Sequence, residues 1–387
     1  MSLLGVYNPL DLEFDHGDGV YLYTLDGTRY LDFTSGIGVN SLGYSHPSLV
    51  SALKEQSEKI WHCSNLFKIS SQGLAAKKIV DNSFAESVFF CNSGAESVEA
   101  GIKVIRKYFS EKKIKKHKII CANNSFHGRT MAAISASGQS KLTEGYYPIL
   151  EGFSQVEFNN IEELVEKIDD QTAAILIETV QGEGGITPAN KDYLKQINKI
   201  SKKNDILLFF DEVQCGVSRT GKFLAVDWVK ELKPNIVSIA KGIGGGFPIG
   251  ALLLDKKTTK VMKAGTHGST FGGNPLGMAV VNEVLNHVLK EDFLAHVRDV
   301  GENLREMLKK EIVLKYPKLV SGVRGIGLML GLEAKEKNEI LIRAMNKERL
   351  LTVKAGQNVV RMLPPLILEI KHVEEAITKI DKAFSNL

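Results

Sequence analysis

The chain has 387 residues, 43% hydrophobic and 24% charged, with a net charge of +4. That length exceeds one ordinary core and points to two or three units, and so small a positive charge gives no basis for a nucleic-acid partner. The scattered Cys63, Cys91, Cys121 and Cys215 give neither a zinc site nor a disulfide framework, which fits a cytoplasmic protein, and no apolar run suits a membrane span or a signal segment.

In chain order, Val20 to Phe33 reads as a hairpin with Asp26-Gly27 at its turn. A glycine-rich segment follows from Ser35 to Pro47, and Ser48 is expected to cap a helix reaching about Ile60. From Ser87 strands and helices alternate. SVFFC is a strand, Asn92-Ser93-Gly94 a turn, and Ala95 to Phe109 a helix. The basic run Ser110–Lys118 reads as a solvated helix end rather than a patch for an acidic partner. KIICA from Lys118, AAILIE from Ala173, ILLFFDEV from Ile206 and IVSIA from Ile236 are further strands, with a helix over Asp192–Lys203. This alternation predicts an α/β fold with a mostly parallel sheet covered on both faces. Ligands in such folds bind at the carboxyl ends of the strands.

Lys241 ends the run Ile236–Ala240, a glycine-rich turn follows over Gly242–Gly246, and a second apolar run covers Gly250–Leu254. A lysine that merely snorkels to water is the ordinary explanation. A desolvated lysine, however, has a lowered pKa and can act as a nucleophilic amine toward a carbonyl. Asp211 closes another apolar run, where a carboxylate is costly unless it meets a cation. Pyridoxal phosphate (PLP) needs both: a lysine for its aldehyde and an acid for its ring nitrogen. Ser93, Gly94 and Ala95, at a strand-to-helix junction, offer amides and a helix N-terminus for a phosphate. Phe126, on a strand-end loop, is placed to stack on a ring.

After Asn274-Pro275, which can cap and open a helix, the pattern changes. Phe293, Val297, Val300, Leu304 and Leu308 keep helical spacing. Val323–Leu332 and Val359–Leu363 read as strands, and Asn338–Arg349 and His372–Phe384 as helices, giving a smaller α+β domain. The expected division is an N-terminal segment (1–47) packing with the small domain, a large domain (48–273) and a small C-terminal domain (274–387).

Two rival readings come from the same residues. Gly216–Lys222 fits seven positions of a phosphate-binding P-loop, but Phe223 stands where a magnesium-binding hydroxyl is required. A non-catalytic protein on this fold is the other, and the presence of both Lys241 and Asp211 argues against it.

Taken together, CNSGAESVEAGIKVIRK, SFHGRT, QGEGG, FFDEVQCGVSRTG, AKGIGGGFPIGA and STFGGNPLGMA resemble the class III PLP-dependent aminotransferases, in order and spacing, from about Gly19 to Pro365. The resemblance implies the fold type I architecture and a homodimer with shared active sites. It implies that Lys241 forms the Schiff base, Asp211 meets the ring nitrogen, and Val213 and Phe126 pack on the ring faces. Gln214 would meet the ring hydroxyl, Ser93, Gly94 and Ala95 the phosphate, and Thr270 the phosphate of the neighbouring subunit. On the substrate side it implies Arg129, Glu183, Ser269 and Arg361. Arg129 would grip the far carboxylate, and Glu183 would release Arg361 to grip an α-carboxylate. Within the class the chain looks most like the acetylornithine aminotransferases, with 2-oxoglutarate and glutamate as the second pair. Ornithine aminotransferases carry a tyrosine near the pocket entrance, where this chain has Gly36. The same site class also serves donors such as succinylornithine, succinyl-diaminopimelate and 4-aminobutyrate.

Overall fold

The computed structural model describes residues 2–387. The apolar runs become the strands Ser87–Cys91, Lys118–Ala122, Thr172–Glu178, Leu207–Asp211, Ile236–Ala240 and Gly250–Leu254. With Phe153–Val156 they form one seven-stranded sheet. Its order, by first residue, is Ser87, Gly250, Ile236, Leu207, Thr172, Lys118, Phe153. Gly250–Leu254 runs antiparallel to both neighbours, and the remaining pairs are parallel. The strands beginning at Thr172, Leu207 and Ile236 are buried at every position. That is why they read as unbroken apolar runs rather than as an alternation. Helix Gly94–Glu111 packs so closely on this sheet that a Cβ at Gly101 would stand 2.4 Å from the Phe209 ring.

The helix after Asn274 spans Pro275–Val288, and the Asn274 side chain accepts from the Gly277 amide at 2.7 Å. Its Met278, Val281 and Val284 lie in the same core as Leu49 and Ile249. A second core gathers residues from Val297 onward with Val20, Leu31 and Phe33 of the N-terminal segment. Its sheet is antiparallel, in the order Val320–Ile326, Met329–Ala334, Val359–Met362, Val353–Ala355. The expected hairpin is present as Tyr21–Thr24 paired with Arg29–Asp32. It is extended on one side by Phe14–Asp18 and on the other by the distant Leu350–Leu351.

Several sequence expectations need correction. Val323–Leu332 is two strands, turning through Gly327, whose φ of 58° suits a residue without a Cβ. The helix expected from Ser48 starts at Pro47 and ends at Ser57, and His46 holds the N-cap position without a side-chain cap. Ser48 instead bonds the rings of His46 and His287, at 2.9 and 3.1 Å. The helix before the basic run ends at Glu111. Lys116 then donates to the carbonyls of Asn204 and Asp205, where a cation satisfies the end of helix Lys191–Asn204. The P-loop reading fails: no α-helix follows Gly216–Lys222, only turns and a short 3₁₀ segment, so the helix N-terminus that cradles phosphates is missing. Arg219 from that stretch is buried and donates to the carbonyls of Leu328 and Pro364. Among the described residues no helix is long and apolar enough to cross a membrane.

Candidate active site

The strand ends of the large sheet open into a cavity of about 450 Å³. Lys241 enters it from the end of Ile236–Ala240, with a left-handed φ of 48° that breaks the strand into a 3₁₀ turn. Burial first, and then the charge of Arg361, push its amine down to about 8 against the opposing pull of Glu183, Asp211 and Glu178. Desolvation disfavours the charged form, so this amine yields its proton more readily than an ordinary lysine.

Asp211 ends the neighbouring strand and is buried. Its Oδ2 accepts from His127 Nδ1 at 2.8 Å, and its Oδ1 accepts from the Val213 amide at 3.0 Å. One strand further, in register with Asp211, stands Glu178. Burial first, and then the charge of Asp211, pushes its carboxyl well above the usual range. Glu212 does not line the cavity. It accepts from the amides of Ala225 and Val226, at 2.6 and 2.7 Å, and burial raises it to about 8. The alternation of the strand thus sends one acid to the site and the next into the packing behind it.

Ser93 caps the helix that begins at Gly94, and its Oγ accepts from the Glu96 amide at 3.2 Å. The first-turn amides of such a helix have no acceptor of their own and carry its positive end. Gly94 presses on Val213 so tightly that a Cβ would lie 2.7 Å from Val213 Cγ1. Phe126 and Arg129 enter from the loop after Lys118–Ala122, with the exposed Arg129 guanidinium 5.6 Å from the Phe126 ring centre.

Lys241, Asp211, Val213, Gln214, Phe126 and Arg129 therefore share one cavity with Ser93, Gly94 and Ala95. Glu183 and Arg361 are not among its lining residues but join it through Gln214. Arg361, buried, donates to the Glu183 carboxylate and, at 3.1 Å, to Gln214 Oε1. Ser269 lies one shell out, accepting from Asn92 at 3.1 Å. Thr270 is exposed and away from the cavity of its own chain. Gly36, with φ 64°, is likewise outside the lining, although Val39 is in it. The sequence reading missed His127 and Glu178. The signal for Glu178 was the one that found Asp211, an acid ending a wholly apolar strand.

Residues 6–384 match the family model described as Aminotransferase class-III. The chain belongs to the class III aminotransferases. This class III aminotransferase is 47% identical over 377 residues to the acetylornithine aminotransferase of Agrobacterium fabrum, covering 97% of this chain and 94% of that one. The structure of an ornithine aminotransferase from Toxoplasma gondii, with PLP at partial occupancy in its active site, superposes with a TM-score of 0.93 at 31% identity. That match covers 99% of this chain and 92% of the other. The acetylornithine aminotransferase of Elizabethkingia anophelis gives a TM-score of 0.87 at 31% identity, covering 99% and 96%. With such neighbours, the mostly parallel seven-stranded sheet of this aminotransferase is the fold type I architecture.

Proposed function

We propose that the protein moves the terminal amino group of N2-acetyl-L-ornithine to 2-oxoglutarate, giving N-acetyl-L-glutamate 5-semialdehyde and L-glutamate, with PLP as cofactor. The observation that carries this reading is the meeting of Lys241, Asp211 and the Gly94 helix start in one cavity of a chain 47% identical to an acetylornithine aminotransferase. The residues present fit the cofactor. Lys241 offers an amine, Asp211 an acid fixed by His127, and Ser93, Gly94 and Ala95 a phosphate cradle. Phe126 and Val213 offer apolar surfaces to a ring, and Gln214 a polar group to its hydroxyl. When bound, PLP supplies the aldehyde and electron sink for amino transfer. Lys241 Nζ takes the proton from the amine-bearing carbon of the donor, and in the return half delivers one to the keto carbon of the acceptor. Asp211 would set its carboxyl group against the ring nitrogen. The test is one spectrum of the purified protein. A near-ultraviolet or visible band that changes on adding an amino donor and returns with 2-oxoglutarate is expected, and its absence would sink the reading.

Arg129 is the proposed grip on the substrate carboxylate far from the reacting carbon, since a planar guanidinium binds carboxylates in bidentate fashion. Arg361 is the proposed grip on the α-carboxylate of glutamate or 2-oxoglutarate. Its engagement by Glu183 supports the switch: with the pair closed, Arg361 presents no unpaired charge to a bare terminal amine. Arg361→Ala should then damage the 2-oxoglutarate half-reaction at least about 10-fold more than the donor half-reaction, the loss of a charge-assisted pair. Single-turnover kinetics of the two halves check this, and equal damage would remove the switch.

The active form we infer is a homodimer. Trp61, Leu66, Phe67 and Phe271 are exposed by 63%, 89%, 68% and 59%, a concentration of large apolar groups that calls for cover. Asn65 ties their loops together by donating to the carbonyls of Ser269 and Gly272, at 3.2 and 2.9 Å. Thr270 lies within this surface and would reach the neighbouring subunit's phosphate. Affinity for PLP should therefore fall when the protein is diluted, and a fully active monomer in sedimentation would contradict the shared site.

A further inference from the structure

Two arms flank the cavity. One is the loop of Phe126 and Arg129. The other is the loop of Gly182 and Glu183, which engages Arg361. Glu178, at the end of the central strand Thr172–Glu178, bonds both. Its Oε2 accepts from the Phe126 amide at 3.2 Å, and its Oε1 accepts from the Gly182 amide at 3.1 Å. Each contact leads on to an arginine. The Arg129 guanidinium stands 5.6 Å from the Phe126 ring. Gly182 is packed against Gln214 so closely that a Cβ would lie 2.3 Å from its Oε1, the same oxygen that accepts from Arg361 at 3.1 Å.

We propose that Glu178 is a specificity-determining positioning residue, whose two carboxyl oxygens tie both loops to one rigid strand end and so set the spacing at which Arg129 and Arg361 receive a five-carbon dicarboxylate. The proposal rests on the reading of 2-oxoglutarate and glutamate as the second substrate pair. A buried acid beside Asp211, with no arginine or lysine bonded to it among the described residues, is a costly way to end a strand. An apolar residue would fill the place more cheaply but could not hold two amides. The strand behind it is buried throughout, so the anchor does not give when a shorter ligand pulls the arms together. One methylene is then felt as a misfit at one arginine or the other.

The test compares the loaded wild-type enzyme with Glu178→Gln and Glu178→Asp. The amide can accept from only one of the two loops, and the shorter acid cannot span both. Binding of the unreactive glutarate and succinate is measured by calorimetry, and kcat/KM is measured for 2-oxoglutarate and oxaloacetate. The wild type should favour the five-carbon member by about 10-fold or more in both assays, the usual scale for one methylene. Both variants should lose most of that preference while their melting midpoints stay near wild type. A loss shared equally by both chain lengths, with the preference intact, would overturn the proposal and leave Glu178 a merely structural acid. A wild type with no five-carbon preference would overturn the acceptor reading beneath it. Should Glu178→Gln fail to fold, Glu178→Asp carries the comparison.

Discussion

Lys241→Ala should lower kcat by at least about 10⁴-fold, the upper range for loss of a positioned proton-transfer group. Donor and acceptor halves should be hit alike, because the same Nζ serves both. Among the described residues no other amine lines the cavity, and the one imidazole there, His127, is bonded to Asp211. The fold should survive, and the cofactor-free protein should even gain stability at neutral pH. The Lys241 amine is depressed to about 8 from the ordinary 10.5, so between those values the unfolded chain binds a proton that the native chain does not. Wild-type stability therefore rises with pH through that window, while the alanine variant lacks this rise. The difference in melting midpoint should be largest below pH 8 and shrink toward 10.5. Substantial transamination by the variant would remove Lys241 from the mechanism.

Asp211→Asn should cost roughly two to four orders of magnitude in kcat, the scale of breaking a buried charge pair. The carboxylate is fixed from both sides, by His127 Nδ1 and by the Val213 amide. An amide at the same place offers no negative charge to a ring-nitrogen proton. The change keeps size and shape, so the melting midpoint should move far less than kcat. Steady-state kinetics beside a thermal melt decide it, and an unchanged kcat would exclude Asp211 from the reaction.

Much of this was legible in the sequence because the site lies at the ends of wholly buried strands. Lys241 and Asp211 stood out as charges that no apolar run would carry without cause. Glu178 carries the same mark, but it stands in AAILIE before Thr179, with no glycine-rich turn after it to suggest a site. His127 was hidden by its neighbour Phe126: two residues of one loop reach the site, and spacing does not say which. Other features depend on distant partners. Leu350–Leu351 is a strand only because Arg29–Asp32 lies beside it. Gly327 could be read as one more small residue in a continuous run, when in fact the chain reverses there. The pairing of Arg361 with Glu183 joins residues 178 positions apart, which no local pattern reveals. Ser48 offered a cap, but Pro47 already fits the first helical position, where its missing N–H costs nothing.

The donor is tested most directly by measuring kcat/KM for N-acetylornithine, N-succinylornithine, ornithine and 4-aminobutyrate with 2-oxoglutarate held saturating. Free ornithine brings an α-ammonium that the site would have to desolvate, and none of the acids lining the cavity is left free to receive it: Asp211 is held by His127, and Glu178 by two amides. N-acetylornithine should lead ornithine by at least about 10-fold, the least expected for burying an unpaired charge, and 4-aminobutyrate should trail as well. Ornithine or 4-aminobutyrate in first place would contradict the acetylornithine assignment, while leaving the chain a class III aminotransferase.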